Sequence, residues 1–216
     1  MLELEGIGYH PATAAAPVLQ DVSLRLERGE PGLVAGRSGS GKSTLLDIIA
    51  GLARQDRGRI LWQGQATTPR ERRWLCGLVF QFPERHFLGL SVGQELRIGH
   101  RRLPTERLQG ALERVGLGQV PLQHPPEQLS GGQQRRLALA VQLLRDPPVL
   151  LLDEPTAGLD WSVRRDLIEL LRDLARERLL LLVTHEPECF EGLMNHRWRL
   201  VGGRCVRFDQ SLPDHA

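Results

Sequence analysis

The chain has 216 residues, 41% hydrophobic and 25% charged, the balance of a globular domain and not of a disordered segment. A formal net charge of +2 is too small to mark a nucleic-acid surface, so no nucleic-acid partner is expected. The longest aliphatic runs, Val149–Leu152 and Leu179–Val183, are far shorter than the roughly 20 apolar residues of a membrane-spanning helix.

No basic-then-apolar leader opens the sequence, and Cys76, Cys189 and Cys205 are scattered without a CxxC pair. A secreted disulfide scaffold and a zinc module are both excluded on those grounds, and a reducing cytoplasm is expected. All but one of the 28 basic residues are Arg, a bias that genome composition explains; the exception is Lys42.

In chain order, Leu2–Ile7 and Val18–Leu26 alternate apolar and polar residues, the pattern of half-buried strands. Gly32–Ala35 reads as a buried strand running into a glycine-rich turn, and Ser43–Ala50 as a helix stopped by Gly51. Gly77–Phe80 is a further short strand. Between residues 91 and 145, Leu96, Leu103, Leu108, Leu112, Val115 and Leu117 sit among charges, which predicts amphipathic helices. Strands return at Val149–Leu152 and Leu179–Val183 around a helix over roughly 161–176. Trp198–Phe208, centred on Gly202-Gly203, reads as a hairpin with a two-residue turn. Alternation of strands and helices points to an α/β sheet.

Three segments carry chemistry. Gly36-Arg37-Ser38-Gly39-Ser40-Gly41-Lys42-Ser43 is a GxxxxGK[ST] loop between a buried strand and a helix. Small residues let its backbone N–H groups face phosphate oxygens while the helix N-terminus adds partial positive charge. In such a loop the lysine, Lys42, reaches the β- and γ-phosphates and Ser43 holds Mg²⁺. Val149–Leu152 then delivers Asp153 and Glu154 to a strand's C-terminal edge, where ligands of parallel sheets bind. An Asp-Glu pair after a strand is weak evidence alone, since strands often end in solvated acidic turns. After a P-loop it reads as Asp153 holding Mg²⁺ and Glu154 polarising a water.

The third segment, Leu129-Ser130-Gly131-Gly132-Gln133, has an ordinary structural explanation: Ser130 and Gln133 form an S-x-x-Q capping box ahead of an apolar stripe. Two glycines in the first turn nevertheless cost roughly 1 kcal/mol each relative to Ala. Exposed backbone N–H groups for another phosphate would account for them.

Together the P-loop, LSGGQ, LLLDEP and a later His185 resemble the ATP-binding-cassette family of ATPases, in the family's order and over nearly the whole chain. The resemblance implies a P-loop NTPase (RecA-like) core with an N-terminal antiparallel β subdomain and an inserted α-helical subdomain. Within one domain over 1–216, it places the core at 1–88 and 146–216 and the helical part at 89–145. It also implies two cassettes closing head to tail on ATP and Mg²⁺, each ATP lying between one P-loop and the other chain's Ser130, Gly131, Gly132 and Gln133.

Carried over one residue at a time, Tyr9 is similar to the adenine-stacking aromatic, and Thr44 completes the phosphate loop. Gln81 resembles the glutamine that senses Mg²⁺ and the attacking water. Ala157-Gly158-Leu159-Asp160 resembles the loop that crosses the dimer interface, and His185 the switch histidine at the γ-phosphate. ATP hydrolysis is the implied activity, with Glu154, His185 and Gln81 as catalytic residues. Transport would run through separate integral membrane subunits, the cassette lying peripherally on the cytoplasmic face. Phe80-Gln81-Phe82-Pro83-Glu84 and the Pro155–Asp160 segment are similar to those of energy-coupling-factor transporters, importers of vitamins and transition-metal ions. Arg85-His86-Phe87 departs from that subfamily's pattern. A second reading is a cassette that does not transport and acts instead on a soluble assembly or a cell-division complex. Residues 81–90 should separate the readings, because their apolar side chains either line a docking groove or pack the helical subdomain.

Overall fold

The structure, a computed structural model, describes residues 1–208. The end of the expected core segment, 209–216, lies outside the described residues.

Two sheets enclose one helix. The first is antiparallel, in the order β2-β1-β4-β5, from β1 (Leu2–Tyr9), β2 (Leu19–Leu26), β4 (Arg57–Trp62) and β5 (Gln65–Ala66). The second has the order β10-β9-β3-β8-β7-β6, from β3 (Gly32–Ala35), β6 (Cys76–Val79), β7 (Val149–Asp153), β8 (Leu179–Thr184), β9 (His196–Val201) and β10 (Arg204–Arg207). Its strands run parallel except for the closing β9–β10 hairpin. Gly202 and Gly203 make that hairpin's two-residue turn with φ of 54° and 76°, the left-handed pair a type I′ turn requires.

Strands β7 and β8 are buried on both faces, which is why they read as unbroken aliphatic runs. Their side chains still divide by the period of two. Leu151, Leu181 and Val183 join Val34 in a cluster with Leu45, Leu46, Ile48 and Ile49 of α1 (Lys42–Ile49) and with Leu2, Leu4 and Val22 of the antiparallel sheet. Leu150, Leu152, Leu180 and Leu182 face the other way, onto α5 (Gly131–Arg145) and α6 (Trp161–Glu177). The first helix is therefore wedged between the two sheets. Gly51 ends it at φ 75°, with its N–H donating to the Ile48 carbonyl at 3.1 Å.

Strands β4 and β5 and helix α2 (Pro69–Leu75) have no counterpart in the expected elements. Strand β4 buries only Ile60 fully and begins Arg57-Gly58-Arg59, so it shows no clean alternation. Gly58 is required there, because a Cβ would lie 2.4 Å from the Glu5 carbonyl oxygen of β1. Helix α2 is short and Arg-rich, yet it carries a full capping box between Thr68 and Glu71 and anchors itself with Arg72. That fully buried guanidinium donates to Ile48 O (3.2 Å), Thr67 O (2.8 Å) and Gln55 Oε1 (3.2 Å).

Residues 91–145 hold α3 (Val92–Arg97), α4 (Thr105–Arg114) and α5, packed together through Leu96, Leu108, Leu112 and Leu137.

Candidate nucleotide site

Strand order explains how residues distant in sequence meet. Strands β3, β8, β7 and β6 are consecutive neighbours, and each ends at the same C-terminal edge. Ala35 pairs with Thr184, Asp153 with Val183 and Val79 with Leu152. The P-loop therefore leaves β3 beside His185, with Asp153 and Glu154 one strand further and Gln81 beyond them.

The loop itself is fixed by backbone bonds: Gly36 N donates to Thr184 O at 3.1 Å and Ser40 N to Arg37 O at 3.1 Å. Gly36 cannot be replaced cheaply, since a Cβ would meet Ser40 Oγ at 2.6 Å and Leu200 O at 3.0 Å. Gly41 precedes α1 at φ 100°, where a Cβ would also strike Val18. Lys42 folds its buried ammonium back into this ring, donating to Gly36 O (2.7 Å) and Arg37 O (3.2 Å). Arg37, Ser38, Gly39 and Ser43 are exposed, and Thr44 is half-buried at the start of α1.

Lys42 and Glu154 form an ion pair at 3.2 Å, each side chain only 7% exposed. The other oxygen of Glu154 accepts from His185 Nδ1 at 2.9 Å and from the His185 backbone N–H at 3.1 Å. Glu154 thus bridges the Gly36–Ser43 loop and His185. It does so at φ 46°, a left-handed conformation that costs a non-glycine residue about 1–3 kcal/mol. The pairing was not foreseeable from motif order, which gives sequence positions but not side-chain partners.

Asp153 lies against Ser43, whose hydroxyl bonds to it. Burial raises its carboxyl above the usual carboxylate range, and the Ser43 bond opposes that shift. Its Oδ1 is buried with no hydrogen-bond partner among the described residues. An orphaned carboxylate oxygen beside a serine hydroxyl fits a hard divalent cation such as Mg²⁺, which takes oxygen ligands. A cleft of about 880 Å³ opens against the loop, lined by Gly36, Arg37, Ser38, Ser40, His185 and Arg199 among others. Tyr9 does not line it. Its carbonyl accepts from Val18 N at 2.9 Å, and Val18 lies beside Gly41, so the Tyr9 backbone is one residue contact away from the P-loop. Its half-buried side chain packs against the cluster between the two sheets.

The signature segment stands apart. Ser130 caps α5 by accepting from Gln133 N at 3.4 Å, and Gln133 Oε1 accepts from Ser130 N at 2.9 Å. Among the described residues, Ser130–Gln133 share no hydrogen bond or ion pair with residues 36–44. Asp160 N-caps α6 without a side-chain cap bond, its carboxylate exposed.

The two signature glycines differ. A Cβ on Gly131 would meet nothing within 4 Å, whereas one on Gly132 would lie 2.5 Å from Val163 Cγ1 of α6. Gly132→Ala is therefore expected to cost about 1–3 kcal/mol by overpacking, and Val163→Ala in the same chain to recover most of it. Gly131→Ala should leave stability unchanged or slightly raised, by up to about 1 kcal/mol from helix propensity. Urea unfolding of the four chains tests this; equal losses for the two glycines would refute the Val163 contact as the reason.

Sequence reasoning missed two further groups. Glu95 of α3, 5% exposed, accepts from Leu88 N (2.8 Å) and Gly89 N (2.7 Å), and so clamps a loop that holds Leu88 79% and Leu90 81% exposed. Within the stretch after Gln81, Phe87 packs against the helical subdomain's core while Leu88 and Leu90 face outward. A glutamate among the apolar positions Val92 and Leu96 was the available signal. Arg135, the second group, is buried on α5 beside Gln81.

Residues 19–157 match the family model described as "ABC transporter". The chain is 39% identical to ABC transporter I family member 11, chloroplastic, of Arabidopsis thaliana, over 94% of this chain and 78% of the relative. It is 42% identical to the energy-coupling factor transporter ATP-binding protein EcfA2 of Symbiobacterium thermophilum, over 83% of this chain and 67% of the relative. Its fold superposes with a TM-score of 0.82 on the ATP-binding cassette MJ0796, solved as a dimer in a post-hydrolysis state with ADP and Pi, at 27% identity over 96% and 97% of the two chains. This chain belongs to the ABC transporter family, as an ATPase cassette of the P-loop NTPase fold.

Proposed function

We propose that the chain closes on ATP against a second cassette, and that its load is a set of integral membrane subunits docked beside the segment that follows Gln81. The ATPase chemistry is supported above all by one observation: Lys42, Glu154 and His185 are linked through a single carboxylate at the P-loop. Phosphate oxygens replace Glu154 as the anionic partner of Lys42 when ATP binds. That exchange frees one carboxylate oxygen while His185 retains the other, so Glu154 can take a proton from a water aligned with the γ-phosphorus. The water oxygen bonds to phosphorus, the bond to the β–γ bridging oxygen breaks, and ADP and phosphate are released.

The loop Gly36–Thr44 binds the phosphates, and Tyr9 stacks on adenine. Ser43, Asp153 and the Gln81 side chain would hold Mg²⁺, which when bound supplies positive charge to the β- and γ-phosphate oxygens. The Ser130–Gln133 turn, unconnected to its own P-loop, suits donation to nucleotide held by the second cassette, with Asp160 crossing the same interface. The domain reading follows: a core at 1–88 and 146–216 and a helical part at 89–145.

Leu88 and Leu90, raised on the Glu95 clamp, support a membrane-protein partner, and the Phe80–Glu84 segment supports the energy-coupling-factor type, importing a vitamin or metal ion from a position on the cytoplasmic face. Leu90→Asp is the cleaner probe of docking, because Phe87 is needed by the core. Purification of the tagged chain from its host in mild detergent should recover integral membrane proteins, and Leu90→Asp should lose them while keeping its melting temperature and its ATPase activity. Recovery of soluble partners alone would instead establish the non-transport reading.

A further inference from the structure

Arg135 sits five residues beyond the Ser130 cap on α5, roughly 7.5 Å along the axis at 1.5 Å per residue. It is 8% exposed, and its buried guanidinium is under-satisfied. Nη2 donates to the Gln81 carbonyl oxygen over a long 3.4 Å, and Nη1 is buried without a partner among the described residues. Burial disfavours its charge, and Glu84, three residues beyond Gln81, partly offsets that. An under-paired buried cation is costly, and each such group needs a reason.

The surroundings supply one. Ala138, Val141 and Gln142, further along α5, line a cavity of about 100 Å³ with Phe80, Pro83, His86 and Phe87. The cavity lies where the segment after β6 meets α5. Beside it, the Arg135–Gln81 bond ties the helix to that segment's backbone.

We infer that Arg135 is a positioning residue that couples the two ATP sites of the dimer, by making Gln81 of one site follow the signature helix that serves the other. The inference rests on the proposed roles of Gln81 and of the Ser130 turn. When the Ser130 end of α5 engages nucleotide on the second cassette, the helix moves as a unit and Arg135 carries Gln81 with it. Shortening the bond to Gln81, or bringing Glu84 to Nη1, gives the guanidinium the partner it lacks. Occupancy of one site then prepares the other, which is positive coupling between sites.

The test is steady-state ATP hydrolysis by the purified chain across a range of ATP concentrations, for wild type, Arg135→Met and Arg135→Lys, with thermal unfolding of each. Wild type should show a Hill coefficient approaching about 2, the number of sites. Arg135→Met should fall to about 1 while unfolding within a few degrees of wild type. Arg135→Lys, which keeps the charge and loses the fork, should lie between the two. A Hill coefficient unchanged from wild type in Arg135→Met overturns the inference, as does a wild-type coefficient of about 1. Should Arg135→Met unfold, Arg135→Lys decides alone: wild-type cooperativity in it overturns the inference and reduced cooperativity supports it. Failure of the wild-type chain to hydrolyse ATP at all would instead count against the proposed function, so the two failures are distinguishable.

Discussion

Glu154→Gln is expected to bind ATP at least as tightly as wild type while hydrolysing it roughly a thousandfold more slowly, within the span attributed to a positioned general base. The amide is nearly isosteric, but it cannot accept the water's proton and no longer neutralises Lys42. Its ammonium, still held by Gly36 O and Arg37 O, then meets the phosphates with one less competitor. Because nucleotide is bound and not consumed, the closed pair should persist. Size-exclusion chromatography with ATP should show a dimer that wild type populates only transiently. Turnover close to wild type would falsify Glu154 as the base, and would move attention to His185, whose Nδ1 is the other group on that carboxylate.

The second large effect concerns folding as well as activity. Lys42→Met removes the cation from a pair whose side chains are both 7% exposed, leaving a buried carboxylate with only His185 beside it. Breaking a buried pair from one side typically costs 3–5 kcal/mol, and the remaining histidine bonds place this case near the lower end, about 3 kcal/mol. Lys42→Met/Glu154→Gln should recover at least about 1 kcal/mol of that loss, the coupling of residues in direct contact. Urea unfolding of the two single variants and the double variant closes the cycle. Additive losses would show that the pair contributes nothing to the fold. In ATP binding the double variant should remain as poor as Lys42→Met, since a charge-assisted contact to phosphate, worth about 1.5–3 kcal/mol, is absent from both.

Much of the architecture is legible in the sequence because burial leaves a strong pattern. Strands β3, β7 and β8 appear as aliphatic runs, α6 as a long amphipathic stretch, and the last hairpin through its paired glycines. The β1–β2 pair alternates along Leu2–Glu5 and Val22–Leu26 because one of its faces is wetter than the other. Where local pattern is overridden, the sequence is silent. Strand β4 is held by its place beside β1 and by the freedom of Gly58 to approach Glu5, not by alternation. Helix α2 is anchored by a buried arginine, a residue type that ordinarily signals surface.

The site divides in the same way. Motifs place Lys42, Ser43, Asp153, Glu154 and His185 in order along the chain, and parallel strand order suffices to bring them to one edge. Side-chain partnerships do not follow from order. That Glu154 joins Lys42 to His185, that Gly132 is small for Val163, and that Glu95 clamps the Leu88 loop are products of tertiary packing. No spacing rule encodes them.

The sheet order also bears on how the chain comes to fold. Strand β3, which launches the P-loop, has no sequence neighbour beside it in the sheet: Gly32 pairs with Leu181 on one side and His196 on the other. During synthesis the N-terminal portion therefore emerges with its central strand unpaired, and must wait for almost the entire chain before either edge is covered. Pairings this remote carry a large loop-closure entropy and slow the search for the native register. A ribosome-bound fragment ending before β8 should present an apolar, open-edged strand to chaperones, so the yield of native protein depends on how quickly the final fifth of the chain is delivered.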